Sequence, residues 1–291
     1  MSIAHVNGID LFYEVTGDGF PMVLNHEFAG DYRSWELQLR FFARYYRVIT
    51  YNYRGYIPSE VPTDSKMYSE AIMVEDLYQL LKYLDISKAH ILGLSMGGNL
   101  TLNFGFAYPE MCASLVVAGC GAGSKNREEF ERVTGEMADR MEKEGLKAVA
   151  EQYSRGPTRI QFRRKDLRGW EEFLEQFAGH SAIGSALTFR GVQLRRQSIF
   201  SLEKKLRQLH VPTLIMVGDE DDACIEPAIF MKRHISRSGL TIFPQSGHAL
   251  NLEEPFLFNY VVSEFLRAVE AGKWVERGPV AAPGAELLPP K

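Results

Sequence analysis

Over the first 120 residues, apolar positions fall in short dense runs separated by longer stretches with the spacing of amphipathic helices. The dense runs predict strands at 3–6, 11–15, 22–25, 48–53, 89–92 and 114–118. The longer stretches predict helices at 34–45, 69–84 and 99–107. Ser34 and Ser69 are suitable N-caps, and Pro109 stops the third helix. A run such as Val48-Ile49-Thr50-Tyr51 leaves no face for water. Strands of that kind lie in parallel sheets covered by helices on both sides. The expectation is an α/β fold with a mostly parallel central sheet, whose functional groups gather at the C-terminal ends of the strands.

The alternation stops after Cys120. Residues 121–208 carry only helical patterns, with amphipathic runs at 126–144, 146–153, 165–178 and 182–196, before strand-like runs return at 212–217 and 240–243. This divides the chain into a core of 1–120 and 209–272 with a helical insertion of 121–208. A tail of 273–291, rich in Pro, Gly and Ala, is expected to be loosely held. Phe130, Tyr153, Phe162, Trp170, Phe173, Phe177 and Phe189 can either line a pocket or pack the insertion's own core. His180, on a Gly-His-Ser turn, is expected at the surface.

Composition changes this picture little. A chain of 291 residues with formal net charge −4 and interspersed charges has no electrostatic footprint for nucleic acid or an anionic membrane. The basic clusters Arg163-Arg164-Lys165 and Arg195-Arg196 fit solvated helix faces or ion pairs. Cys112, Cys120 and Cys224 are odd in number and lack metal-ligand spacing, so they are expected as buried reduced thiols. No leader-like start and no bilayer-length apolar run is present, and the expected location is the cytoplasm. No cofactor or metal is expected. The partner is a small-molecule substrate, and the oligomeric state, a homo-oligomer included, is left open.

Chemistry enters at Gly93-Leu94-Ser95-Met96-Gly97, a G-x-S-x-G between a strand-like run and a helical one. The turn needs glycines where a Cβ would clash, and it lifts the Ser95 hydroxyl above the sheet. A serine nucleophile needs a base, and His248, on the Gly-containing loop after the last strand-like run, can exchange a proton near neutral pH. Gly218-Asp219-Glu220-Asp221-Asp222 follows the preceding strand-like run, and a carboxylate there can orient the imidazole.

In motif, spacing and chain order the sequence resembles the α/β-hydrolase superfamily from about Gly8 to Ala271. The resemblance implies a triad of Ser95, Asp221 and His248, with Asp221 three residues after Gly218 and Asp222 as the alternative acid. It also implies an oxyanion hole from the backbone N–H groups of Phe28 and Met96, and makes 121–208 a cap over Ser95. Glu253 and Glu254, opening the last helix, are expected as first-turn carboxylates. Asn52 to Ser59 matches a segment that is normally structural. Glu27 stands where the family has Gly, in Asn25-His26-Glu27-Phe28-Ala29-Gly30. Its carboxylate either faces the pocket and disfavours anionic substrates, or turns to solvent or to an arginine. The implied activity is cleavage of a carboxylic ester or lactone. The alternatives are a hydrolase that cleaves a carbon–carbon bond beside a ketone, and a ligand receptor with vestigial hydrolysis.

Overall fold

The computed structural model describes residues 2–276 and residue 278. Eight strands form one sheet: β1 (Ser2–Val6), β2 (Ile9–Thr16), β3 (Phe20–Asn25), β4 (Tyr46–Tyr51), β5 (Ala89–Leu94), β6 (Cys112–Ala118), β7 (Thr213–Gly218) and β8 (Ser238–Phe243). Their order is β1-β2-β4-β3-β5-β6-β7-β8, antiparallel at β1–β2 and β2–β4 and parallel beyond. The chain leaves β3 for one side and returns to its other side as β5, so the strand order reverses there. That is where an open α/β sheet leaves a crevice.

Alternate residues of each strand serve opposite faces. Met22, Leu24, Val48, Leu92, Val116 and Leu214 pack under α1 (Glu36–Phe42) and α12 (Pro255–Glu270), through Phe42, Phe258 and Val262. Val23, Ile49, Ile91, Leu115, Val117 and Ile215 face α2 (Glu70–Tyr83), α3 (Met96–Ala107) and α10 (Asp222–His234). Ser69 caps α2 as expected, accepting from Ile72 N–H at 3.2 Å. Ser34 does not cap its helix: a 3-10 turn over Tyr32–Trp35, capped by Asp31, precedes α1.

Between β6 and β7 run α4 (Arg127–Glu144), α5 (Leu146–Ser154), α6 (Ile160–Lys165), α7 (Leu167–Ala178), α8 (Ala182–Thr188) and α9 (Glu203–Gln208). The expected helix at 165–178 divides at Asp166, whose side chain caps α7 by accepting from Gly169 N–H. The one expected at 182–196 gives way to a π-turn over Phe189–Gln193. The apolar residues of this insertion join the cluster on the α2–α3 face. Two glycines let its backbone approach the rest of the chain. A Cβ on Gly184 would lie 2.1 Å from the Gly55 carbonyl oxygen, and one on Gly191 2.2 Å from that of Tyr68.

The start of the tail is held, contrary to expectation. Trp274 donates its indole N–H to the Arg237 carbonyl at 2.9 Å and packs edge-on against Phe265. Most of the remaining tail lies outside the described residues. Among the described residues, no helix is long and apolar enough to cross a membrane, and the three cysteines are buried and unpaired.

Candidate active site

Strand register brings the candidate residues to one rim. Asn25 pairs with Gly93, Leu94 with Ala118, and Gly218 with Phe243, so the loops after β3, β5, β7 and β8 emerge together. Ser95 follows Leu94 directly, with φ 57° and ψ −112°, and α3 starts at Met96. A non-glycine residue held there stores on the order of 1–3 kcal/mol of backbone strain. Two glycines make the turn possible. A Cβ on Gly93 would lie 2.1 Å from the Gly97 carbonyl oxygen, and one on Gly97 2.1 Å from that of Asn25 and 2.6 Å from that of His26. The Ser95 N–H donates to the Ala118 carbonyl at 2.8 Å, which ties the turn to β6. Met96 opens α3, where a backbone N–H has no carbonyl of its own helix to reach.

His248 arrives on the loop after β8. Its Nδ1 lies 2.7 Å from Asp221 Oδ2, and both side chains are buried. Burial opposes a charged imidazole, but the Asp221 carboxylate outweighs it and holds His248 above its ordinary range. Asp222, the alternative acid, begins α10 and is exposed. A Cβ on Gly119, the residue after Ala118, would lie 3.4 Å from His248 Nδ1, so the serine turn and the histidine loop converge on Ala118-Gly119.

Two carboxylates brace the histidine loop. Asp219 Oδ1 accepts from Ser246 N–H at 3.1 Å. Glu253 accepts from Gly247 N–H at 2.7 Å and Ala249 N–H at 2.9 Å, on either side of His248. Glu253 closes a short helix, α11 (Leu250–Glu253), instead of opening α12 as expected. Its signal in the sequence is a carboxylate a few residues past a Gly-His pair, placed to accept from the loop's own amides. Glu254 precedes α12 without a side-chain cap bond and pairs with Lys165 at 2.5 Å.

The loop after β3 is held by side chains. His26 is buried, its Nδ1 is 2.7 Å from the Glu27 carbonyl, and burial pulls it down to about 4, so it is neutral near pH 7. Tyr56 donates its hydroxyl to the Phe28 carbonyl at 2.9 Å. The Phe28 ring stacks on Phe189 of the π-turn, centroids 3.8 Å apart and planes at 10°, with Tyr153 and Phe177 at 6.4 and 6.0 Å. Phe189, Phe162, Trp170, Phe173 and Phe177 are buried. Glu27 is buried and paired with Arg159 of the insertion. Burial opposes the guanidinium's charge, yet Glu27, with Tyr153 and Glu253, holds it more firmly protonated than usual. His180 is buried, not at the surface, with Nε2 at 3.3 Å from Asp31. Burial pushes the Asp31 carboxyl upward, but hydrogen bonds from His180 and Arg33 hold it well below the usual range. Arg196 is likewise buried, its guanidinium 4.8 Å from the Phe130 ring centroid.

Asp221, Cys224 and His248 have ligand-type atoms within 4.8 Å of one another. The set suits a metal poorly. Asp221 and His248 are engaged with each other, and burial pushes the Cys224 thiol well up, whereas a metal needs the thiolate.

A family model described as the alpha/beta hydrolase fold matches residues 21–255. A Bacillus subtilis protein, provisionally named 2-succinyl-6-hydroxy-2,4-cyclohexadiene-1-carboxylate synthase, is 28% identical over 253 residues, covering 85% of this chain and 90% of its own. The 3-oxoadipate enol-lactonase 1 of Acinetobacter baylyi is 26% identical, over 86% of this chain and 89% of its own. A thermophilic esterase from Thermogutta terrifontis superposes with a TM-score of 0.83 at 26% identity, covering 92% of this chain and 98% of that one.

Proposed function

Because the chain belongs to the α/β-hydrolase family, we propose that it is a serine hydrolase acting on a small-molecule carboxylic ester or lactone, with Ser95, His248 and Asp221 as its triad. One observation carries the reading. The hydroxyl-bearing Ser95 is held at φ 57° on the β5–α3 turn and tied to Ala118, and the next residue, Gly119, faces a buried imidazole already hydrogen-bonded to a carboxylate. A left-handed serine at a strand-to-helix turn is strained, and such strain is kept where it aims a reactive group. The likeness to an enol-lactonase and an esterase supports ester or lactone cleavage.

His248 Nε2 takes the Ser95 proton as Oγ attacks the carbonyl carbon, and Asp221 accepts from Nδ1–H and stabilises the imidazolium. The N–H groups of Phe28 and Met96 receive the oxyanion, each contributing about 3 kcal/mol in the transition state. Collapse of the tetrahedral intermediate expels the alcohol, which takes the proton from His248; in a lactone it stays tethered. Water, deprotonated by His248, then releases the acid and restores Ser95. The helical insertion serves as a cap that shapes the pocket and limits water.

The test is steady-state turnover of a p-nitrophenyl ester series by the wild type and Ser95→Ala. Multiple turnover by the wild type is expected, with a loss on the order of 10⁶ in the variant. Full rates in folded Ser95→Ala would overturn the triad. Absence of ester turnover, with cleavage of a ketone-activated carbon–carbon bond or ligand binding alone, would move the assignment to a carbon–carbon hydrolase or a receptor.

A further inference from the structure

A carboxylate and a guanidinium meet, buried, beside the proposed oxyanion hole. Glu27 lies between His26, whose carbonyl faces Gly97 of the serine turn, and Phe28. Its partner Arg159 immediately precedes α6. That helix reaches the histidine loop, where a Cβ on Gly247 would lie 3.6 Å from Gln161 Cβ. Arg159 therefore lies between the loop after β3 and the histidine loop, flanked by the Phe173 ring at 4.9 Å and the Tyr153 ring at 5.3 Å. The pair is joined on one side. Glu27 Oε1 and Arg159 Nε are both buried, and neither has a hydrogen-bond partner among the described residues.

Resting on the hydrolase reading above, we propose that Glu27 is a specificity-determining residue. It masks Arg159, so that the acyl pocket takes uncharged acyl groups and rejects those carrying a carboxylate. With Glu27 and Arg159 cancelling, the Asp221 carboxylate is the neighbouring uncompensated charge whenever His248 is deprotonated and able to act as base, and Glu253 adds a further carboxyl on the same side. A carboxylate on the substrate would meet Arg159 already paired, and the insertion's other buried guanidinium, Arg196, lies toward Cys120, Cys224 and Glu70 with the Ala122 carbonyl as acceptor. Like charges brought together there are strongly disfavoured. Without Glu27, Arg159 becomes a buried cation whose donors are open to such a group.

The experiment compares p-nitrophenyl butyrate with mono-p-nitrophenyl succinate in the wild type, Glu27→Gln and Glu27→Gln/Arg159→Gln. The wild type is expected to favour the butyrate ester in kcat/KM by about 10-fold or more, and Glu27→Gln to move that ratio toward the succinate ester by a similar factor. The double variant should lose the shift. A second readout separates charge from shape. Burial, Asp221, Arg159 and Glu27 all act on His248, and of these Arg159 lowers it while Glu27 raises it. Removing Glu27 should carry the acid limb of kcat/KM to lower pH, and the double variant should largely restore it. Equal use of the two esters by the wild type overturns the proposal whether or not the variants fold. So does an unchanged ratio in folded Glu27→Gln. If the wild type cleaves neither ester, the hydrolase reading fails on its own. Thermal shifts with succinate and butyrate then decide the charge claim: succinate should stabilise Glu27→Gln and not the wild type, and equal stabilisation of both overturns it.

Discussion

The serine turn and the loop after β3 sit side by side on the sheet, yet they are held in different ways. The turn is a local backbone device: two glycines, one hydrogen bond to Ala118, and helix α3 starting at the next residue. The loop 25–31 is held from a distance. Arg159, His180 and Phe189 reach it from the insertion, and Tyr53 and Tyr56 from the segment after β4. The turn is therefore held by the sheet and by backbone packed against its glycines, whereas the loop also depends on how the insertion is seated. The candidate site thus combines a serine turn that tolerates little change with a loop that side chains of the insertion can retune.

Substitutions can break this contrast. The largest effect is expected at the turn. Gly97→Ala puts a Cβ 2.1 Å from a backbone carbonyl, and the expected outcome is insoluble protein or a loss above about 4 kcal/mol in denaturant unfolding. Asp221→Asn should lower kcat by about 10⁴ with unfolding unchanged to first order, because the imidazole loses its orienting anion. Asp222→Asn should be nearly silent by the same assay. Asp221 also raises His248. In the wild type the base is lost as pH falls through a value above the ordinary imidazole range, and in Asp221→Asn that limb moves to lower pH. At the loop, Arg159→Met leaves Glu27 buried without its cation, and urea unfolding should show a loss of about 3–5 kcal/mol. Adding Glu27→Gln should recover much of it. Smallest is Tyr56→Phe, which removes the bond to the Phe28 carbonyl at about 1 kcal/mol. If it costs more activity than stability, the hydroxyl acts by positioning the loop.

Legibility in the sequence follows the same division. Strand positions and the turn rest on near-neighbour signals, apolar runs and glycines at fixed offsets, whereas the run of carboxylates after Gly218 left the acid open and Asp221 over Asp222 is what the family resemblance implies. Glu27 facing an arginine was one of several alternatives, but its partner, 132 positions away, could not be chosen without the packing of α5 to α7. His180 was expected at the surface for the same reason. Its Gly-His-Ser setting has the composition of an exposed turn, and only tertiary contact with Asp31 buries it. Glu253 was misjudged by register. A short helix ends there, so its carboxylate accepts from the histidine loop and not from the start of α12.

The most direct measurement on the central claim is active-site titration with an alkyl fluorophosphonate, read by intact mass and peptide mapping. Ser95 Oγ should displace fluoride to give a single phosphonyl adduct per chain, mapped to Ser95 and absent from Ser95→Ala. An undiminished adduct in Ser95→Ala, or none on folded wild type, would contradict the assignment of Ser95 as the nucleophile.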